Sequence, residues 1–458
     1  MNFPKKILAD PDDSRFNAPW EKTFTKIITP FEEFIRNQTA GSIILMICTL
    51  IALGLANSPL AAHYFTIIET PVSFTFGSFT LEKTLQHWVN EGLMALFFFV
   101  VGLEIKRAVL VGELASLRQA ALPILAAIGG MVVPALFYFA INPDGAATRG
   151  WGIPMATDIA FAVGVLMLLG SRIPKPLVMF LVALAIVDDL GAVLIIAVFY
   201  TEQIALNHLG MAAVLLMLLV ILNLGGIRHP LAYFLIAAAL WLMLLKSGVH
   251  ATVAGVLTAF TIPARPEYEP LRFSRQVRKL MDRFDASHEA DNMILVNASQ
   301  YSIVQTLGQG VKGVGTLLQR LEHAMHLPVA LLVIPLFALV NAGIPIEVAS
   351  FGTALSHPVT LGVLVGLVAG KCIGITGACW LALKFGIGNL PEQTEFRHII
   401  GVSLLAGIGF TMSIFIAELG FAENPEYLLM AKTGILFASL TAGLGGYLWL
   451  RFMARKVV

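Results

Sequence analysis

The 458-residue chain is poor in charge: Asp, Glu, Lys and Arg make up 13% of it, against 57% hydrophobic residues. A soluble globular chain carries about a quarter charged residues. With so few, and a mean hydropathy of +0.81, a water-facing surface cannot be covered, so lipid is the expected solvent. The net charge of +1 lacks the basic excess of a nucleic-acid binder, and no nucleic-acid partner is expected. Cysteine is scarce too. Cys48, Cys372 and Cys379 lie in apolar stretches and form no CxxC pair. That argues against a disulfide framework or a zinc site and for small packing residues. The N-terminus lacks the long apolar core of a signal peptide. It has scattered aromatics (Phe16, Trp20, Phe24, Phe31, Phe34), and Glu21 to Phe34 reads either as an amphipathic surface helix or as a solvated tail.

Long apolar segments fill the rest. At roughly 20 residues per crossing, about twelve transmembrane helices are expected. They centre near residues 41–57, 87–105, 120–141, 152–170, 177–200, 209–224, 230–245, 247–262, 327–342, 358–383, 398–419 and 427–450. The fold class is therefore an all-α multi-pass membrane protein. Alternate loops differ in charge. One set holds Lys106, Arg107 and Arg118, then Arg172 and Lys175, Arg228, a basic run from Arg265 to Arg320, Lys384 and Arg397, with Arg451, Arg455 and Lys456 at the C-terminus. The other set has only Lys83, Arg149 and Lys246. Cationic loops stay cytoplasmic, so both termini are expected there. The chain divides into a cytoplasmic N-terminal segment (1–40), a first membrane part (41–262), a cytoplasmic loop (263–326), a second membrane part (327–450) and a cytoplasmic tail (451–458).

Two features stand outside the spans. Val72-Ser73-Phe74-Thr75-Phe76, Gly77-Ser78 and Phe79-Thr80-Leu81 alternate with period two around a turn, which predicts an outer β-hairpin at about 70–83. A lone two-stranded hairpin is marginal in water, so it needs a partner surface, and a second copy of the chain is one candidate. In the cytoplasmic loop, Phe273 to Phe284 is basic and helix-compatible.

Ionisable residues inside spans are costly, roughly 2.5–3.5 kcal/mol each at mid-helix, and so mark function. Asp188 and Asp189 lie in the middle of an apolar span, and aspartate is too short to reach water from there. Asp158 follows Gly152-Ile153-Pro154-Met155-Ala156-Thr157, where glycine and proline interrupt the helix. Free carbonyls, the Thr157 hydroxyl and the Asp158 carboxylate are hard oxygen donors suited to a small cation. Asp158 is equally placed to cap the helix that follows. Lys371 is about a dozen residues from either end of its span, or ~18 Å, too far to snorkel. It must pair with a buried carboxylate or lie neutral in a cavity. Gly362, Gly366, Gly370 and Gly374 form a small-residue stripe on the same helix for close packing. Gly407-Ile408-Gly409-Phe410-Thr411-Met412-Ser413 suggests a second broken helix, and two interrupted spans in matching halves point to inverted-topology repeats. Near span ends, Glu104, Glu322, His323 and His326 read either as a pH-responsive cluster or as interfacial anchors. His250, at the start of a span, has the same two readings.

In order along the chain, these residues resemble the NhaA family of sodium/proton antiporters. The resemblance rests on Gly102-Leu103-Glu104-Ile105-Lys106-Arg107, Leu114 to Ala121, Ala156-Thr157-Asp158-Ile159-Ala160-Phe161, Ala185-Ile186-Val187-Asp188-Asp189-Leu190-Gly191, Lys246 to Gly255, Ile334-Pro335-Leu336-Phe337-Ala338 with Asn341-Ala342-Gly343, and Gly407 to Ile416. It implies two inverted repeats, with the fourth and eleventh helices broken and crossing at mid-membrane. Asp189, with Asp188, would bind Na+ or Li+ in competition with H+. Lys371 would be the partner of Asp188. Asp158 would sit at the crossing, with Thr157 as an added oxygen ligand. Glu104, Glu322, His323, His326 and His250 would belong to the pH response. It further implies an electrogenic exporter of sodium in a bacterial inner membrane, active in pH and sodium homeostasis, without a cofactor, not an enzyme, and dimeric through the hairpin. Two departures are visible: Ala108 stands where relatives often carry an acid, which thins the acidic entrance, and residues 274–318 look like an insertion. A sodium-coupled solute symporter and an intramembrane aspartyl protease are the competing classes. The protease would need a GxGD motif, which the chain lacks.

Overall fold

The structure is a computed structural model that describes residues 38–77, 79–112, 114–201, 204–287, 298–345 and 351–452. The segment Glu21 to Phe34, and Arg455 and Lys456, lie outside the described residues. The described chain is mostly helical. In order come α1 (Gln38–Ala56), α2 (Ala61–Glu69), strands β1 (Pro71–Phe76) and β2 (Phe79–Thr84), α3 (Met94–Val111), α4 (Leu117–Ile141), a 3-10 segment (Ala146–Met155) and α5 (Ile159–Met167). Then follow α6 (Lys175–Phe199), α7 (Leu206–Leu224), α8 (Pro230–Ser247), α9 (Val253–Thr261), α10 (Pro270–Ala286) and α11 (Ala298–Val314). The last group is α12 (Leu317–Pro328), α13 (Ile334–Asn341), α14 (Phe351–Ser356), α15 (Pro358–Val365), α16 (Lys371–Lys384), α17 (Phe396–Leu405), α18 (Phe410–Gly420) and α19 (Pro425–Phe452).

Among the described residues, eight helices are long and apolar enough to cross a membrane, or ten if each of two bent pairs is one span. The sequence reading expected about twelve. The two expected crossings outside this set are 87–105 and 247–262. The first is covered by α3, which carries Glu104, Lys106 and Arg107 in its last turns, and the second by the nine-residue α9. They pack on each other instead of standing alone: a Cβ on Gly255 would lie 2.2 Å from the Ala95 carbonyl, and one on Gly102 would lie 2.7 Å from Ala259.

The glycine stripe does what its spacing predicts. A Cβ on Gly374 would meet the Gly129 carbonyl of α4 at 2.2 Å, and one on Gly370 would meet the Pro134 Cα at 2.7 Å. Without a hydrophobic force between helices in lipid, such backbone contact is what holds them together. Three π-helical turns, Trp88–Leu93, Val329–Val333 and Gly366–Gly370, lie inside otherwise regular helices. The last ends immediately before Lys371. The hairpin forms as expected, antiparallel with Val72 opposite Lys83 and Phe76 opposite Phe79, and Gly77 takes the positive φ of 59° that its turn demands.

The basic loops meet at one end of the molecule. Arg172 Nη1 donates to the Arg451 carbonyl, Trp449 Nε1 to the Arg397 carbonyl, Lys106 Nζ to the Phe260 carbonyl and Arg228 Nη2 to the Pro266 carbonyl. Helices α10 and α11 pack against each other at this end, with the Phe273 ring 2.8 Å from where a Cβ on Gly310 would stand.

Candidate functional site

Two chain breaks build the site. Between Met155 and Ile159 the backbone is extended, and between Leu405 and Phe410 α17 gives way to α18 with a bend of 47°. The two breaks lie against each other. The Asp158 N–H donates to the Ile408 carbonyl at 2.7 Å, and Ser413 Oγ to the Ile153 carbonyl at 2.8 Å. In lipid every freed backbone group needs such a partner, and each broken helix supplies partners to the other. Glycine makes the approach possible, since a Cβ on Gly409 would stand 3.1 Å from the Ala156 carbonyl and 2.1 Å from Ser413 Oγ.

Asp158 caps two helices at once. Its Oδ1 accepts from the Phe161 N–H at 3.0 Å, at the start of α5. Its Oδ2 accepts from the Thr411 N–H at 3.0 Å, at the start of α18, and from the Thr411 hydroxyl. Both helix N-termini therefore point their positive dipole ends at one carboxylate. The capping reading of Asp158 holds, for two helices where one was foreseen.

Asp188 and Asp189 are neighbours in α6 with opposite surroundings. Asp188 is fully buried and pairs with Lys371 through Oδ2. The Thr157 hydroxyl lies 2.7 Å from the same oxygen and 2.9 Å from the Ala406 carbonyl, and it accepts from Lys371 Nζ at 3.0 Å. Asp189 is also fully buried, yet neither of its carboxylate oxygens has a hydrogen-bond partner among the described residues. Adjacent helix positions point about 100° apart, which sends one side chain into the protein and the other toward open space.

That space is a cavity of about 390 Å³. Asp189, Asp158 and Thr411 line its deep part; Glu104, Arg107, Glu322 and His326 line it from the charged ends of α3 and α12. Arg107 Nε donates to Glu322 Oε1 at 2.7 Å. Since Lys106 and Arg107 belong to the basic-loop end, the cavity leads from that end to Asp189. A buried carboxylate without a donor needs a counter-charge. A proton or a small hard cation supplies one, and both cannot occupy the same oxygens.

The structure thus brings Asp158, Thr157, Asp188, Asp189 and Lys371 together, with Glu104, Glu322 and His326 on the approach. It does not bring His323 or His250 there. His323 is exposed and does not line the cavity. His250 lies near Glu91, 3.6 Å from Oε1, with Nε2 2.8 Å from the Tyr200 carbonyl. Ala108 packs among Val101, Ile105 and Ile186 and does not line the cavity. Sequence reasoning passed over Thr411 as a site residue, although it lay in the quoted break. It missed the Glu418–Lys432 ion pair at 2.6 Å altogether. Both charges lie near the ends of their spans, 398–419 and 427–450, where the snorkelling argument that flagged Lys371 does not reach.

A sequence model of the family described as Na+/H+ antiporter 1 matches residues 32–450. A protein of Saccharophagus degradans called Na(+)/H(+) antiporter NhaA 1 is 56% identical over 98% of this chain and 96% of its own length. Relatives called Na(+)/H(+) antiporter NhaA follow in Sulfurimonas denitrificans, 51% identical over 96% of this chain and 99% of their own length, and in Syntrophobacter fumaroxidans, 49% identical over 98% and 96%. With matches of this extent added to a crossing of broken helices around buried aspartates, the chain belongs to the Na+/H+ antiporter 1 family.

Proposed function

We infer that this protein exchanges Na+ for H+ across a membrane, and that Asp189 carries the exchanged ion. The observation behind the reading is a fully buried carboxylate with both oxygens unpartnered, at the bottom of a cavity. Such a group binds either H+ or a desolvated cation, and each displaces the other. Li+ has the same charge and hard-oxygen preference, so it is an alternative cargo. Thr157 and Asp158 supply nearby oxygens. Asp158 Oδ1 and Oδ2 already hold two helix N-termini, so its first task is to keep the crossing closed.

One Na+ exchanged for one H+ at Asp189 moves no net charge. An electrogenic cycle needs a second proton-carrying group, and Lys371 is the candidate: its ion pair with Asp188 can open when the site fills. Glu104, Glu322 and His326 sit where an entering cation passes, and they tune its access with pH. His323 and His250 belong to that response only indirectly.

The wider architecture follows the same reading. The protein has twelve crossings, counting α3 and α9, in two inverted repeats with the broken helices fourth and eleventh. The membrane parts span 41–262 and 327–450, joined by the loop 263–326. It sits among the lipids of a bacterial inner membrane with both termini in the cytoplasm, in line with the meeting of its basic loops at one end. β1 and β2 form a homodimer contact. The symporter alternative is less favoured, because the cavity is lined mainly by apolar and ion-binding groups and the family is one of antiporters. A protease dyad needs two carboxylates sharing a proton, and Asp158 is fully engaged by α5 and α18.

The test is Na+-driven proton flux in everted vesicles energised by respiration, read by a quenched dye. Wild type dequenches on NaCl addition, and Asp189→Asn does not. Equal dequenching in both would move the ion site elsewhere. The response weakens as pH falls, because protons then outcompete Na+; a rate independent of pH would refute the competition.

A further inference from the structure

The ion pair Glu418–Lys432 has no part in the mechanism above. Intramembrane charges are costly enough to be functional by default. These two are largely buried, with side-chain exposures of 13% and 11%. Glu418 lies on α18, seven residues or two turns beyond Thr411, and Lys432 lies on α19. Neither lines the cavity.

The pair is joined to a second group of helices. Gln86, before α3, donates one Nε2 proton to Glu418 Oε1 at 3.2 Å and the other to Asn341 Oδ1 at 3.1 Å. Asn341, at the end of α13, exchanges hydrogen bonds with Asn90 at 2.7 and 3.2 Å. Between this cluster and Thr411 stands Phe415, its ring 5.4 Å from Phe98 and 6.2 Å from Phe337.

The positions along the helices give the direction. Gln86 and Asn90 precede Glu104 and Arg107 by 14 to 21 residues, roughly 21–32 Å of helix. Asn341 follows Glu322 by 19 residues, a similar rise. The cavity is thus open between α3 and α12 at the basic-loop end, while the same helices are bound to α18 at the opposite end. Any cycle that exposes Asp189 to the other side must part α18 from them there.

We propose that Gln86, held between the Glu418–Lys432 pair and Asn341, is the outer latch of the transport cycle. It keeps the ion site shut toward the outer face while the cavity is open to the basic-loop end, and it releases before the ion leaves. Two opposite charges on one helix pair fix the acceptor geometry. Lys432 holds Glu418 in place, and Gln86, itself uncharged, spans the seam with one hydrogen bond to the Glu418 carboxylate and one to the neutral Asn341 amide, both of which must break in each cycle. The latch rests on the alternating-access reading of the antiporter.

The test uses the full chain without Cys48, Cys372 and Cys379 and with one reporter cysteine. Ala417→Cys reports on the outer side next to Glu418, and Met412→Cys reports on the cavity. Labelling is by a membrane-impermeant maleimide without Na+, from outside in right-side-out vesicles for the first and in everted vesicles for the second. Gln86→Leu removes the latch. A second background, Glu418→Leu with Lys432→Leu, removes both charges together and leaves neither unpaired. If the outward-open share rises from about one tenth to about one half, Ala417→Cys labels about fivefold faster, Met412→Cys labels more slowly, and the KM for Na+ at the basic-loop face rises about twofold. A merely structural role would loosen the protein and speed both reporters together, which overturns the proposal. Unchanged labelling in both backgrounds overturns it too. Labelling needs no transport, so its outcome is separate from the dequenching test of the antiport itself.

Discussion

Two regions of the molecule treat their carboxylates in opposite ways. Toward the basic loops, Asp189 is buried without a partner at the end of a cavity. Toward the other end, Glu418 is buried with an ammonium at 2.6 Å and an amide at 3.2 Å, and it lines no cavity. Asp188, one residue from Asp189, follows the second pattern by pairing with Lys371. Burial alone therefore does not mark an ion-carrying residue. A paired carboxylate has its counter-charge within the protein; an unpaired one does not, and in the function proposed above it takes that charge from the transported ions.

Substitutions can break or sharpen this contrast. The largest effect is expected at Asp189. Asp189→Asn removes the exchangeable charge and abolishes transport, while melting of the purified protein in detergent is unchanged or shifts upward, since no described hydrogen bond is lost. A fall in melting temperature would mean that Asp189 is structurally paired after all. Lys371→Ala should do the reverse to stability. Removing one partner of a buried pair leaves an uncompensated charge, with a cost of roughly 3–5 kcal/mol. Adding Asp188→Ala should recover much of that loss in thermal melting, and no recovery would show that the pair is not the origin of the cost.

Asp158→Ala comes next, at about 2 kcal/mol, because two helix caps of about 1 kcal/mol each disappear. A loss no larger than that of a single cap would separate α18 from α5. The smallest effect is expected at the rim. Arg107 is 40% exposed in its pair with Glu322, and an exposed pair contributes about 0–1 kcal/mol. Arg107→Gln should barely shift melting, and a large shift would show the mouth to be part of the core.

Much of this was legible beforehand, for identifiable reasons. Lys371 and the Asp188–Asp189 pair announced themselves because lipid makes every mid-span charge conspicuous. The hairpin followed from strict alternation, and the glycine stripe from its spacing of four. The breaks after Pro154 and at Gly407–Gly409 showed because proline and clustered glycines weaken a helix. The eight to ten spans among the described residues, where about twelve were read, reflect helices such as α9, which are apolar but short and depend on neighbours. Glu418 and Lys432 escaped because the hydropathy of a long window absorbs a single charge near its end.

By itself the sequence determined the solvent, the class of fold and the small set of intramembrane charges, since composition and spacing set the cost of placing each residue in lipid. Only the tertiary structure decided which charge has a partner. Asp188 and Asp189 are chemically identical and adjacent, and nothing in their order says which one meets Lys371. That depends on how α6, α16 and the crossing at Thr157 are rotated against one another, through contacts between residues 31 to 214 positions apart.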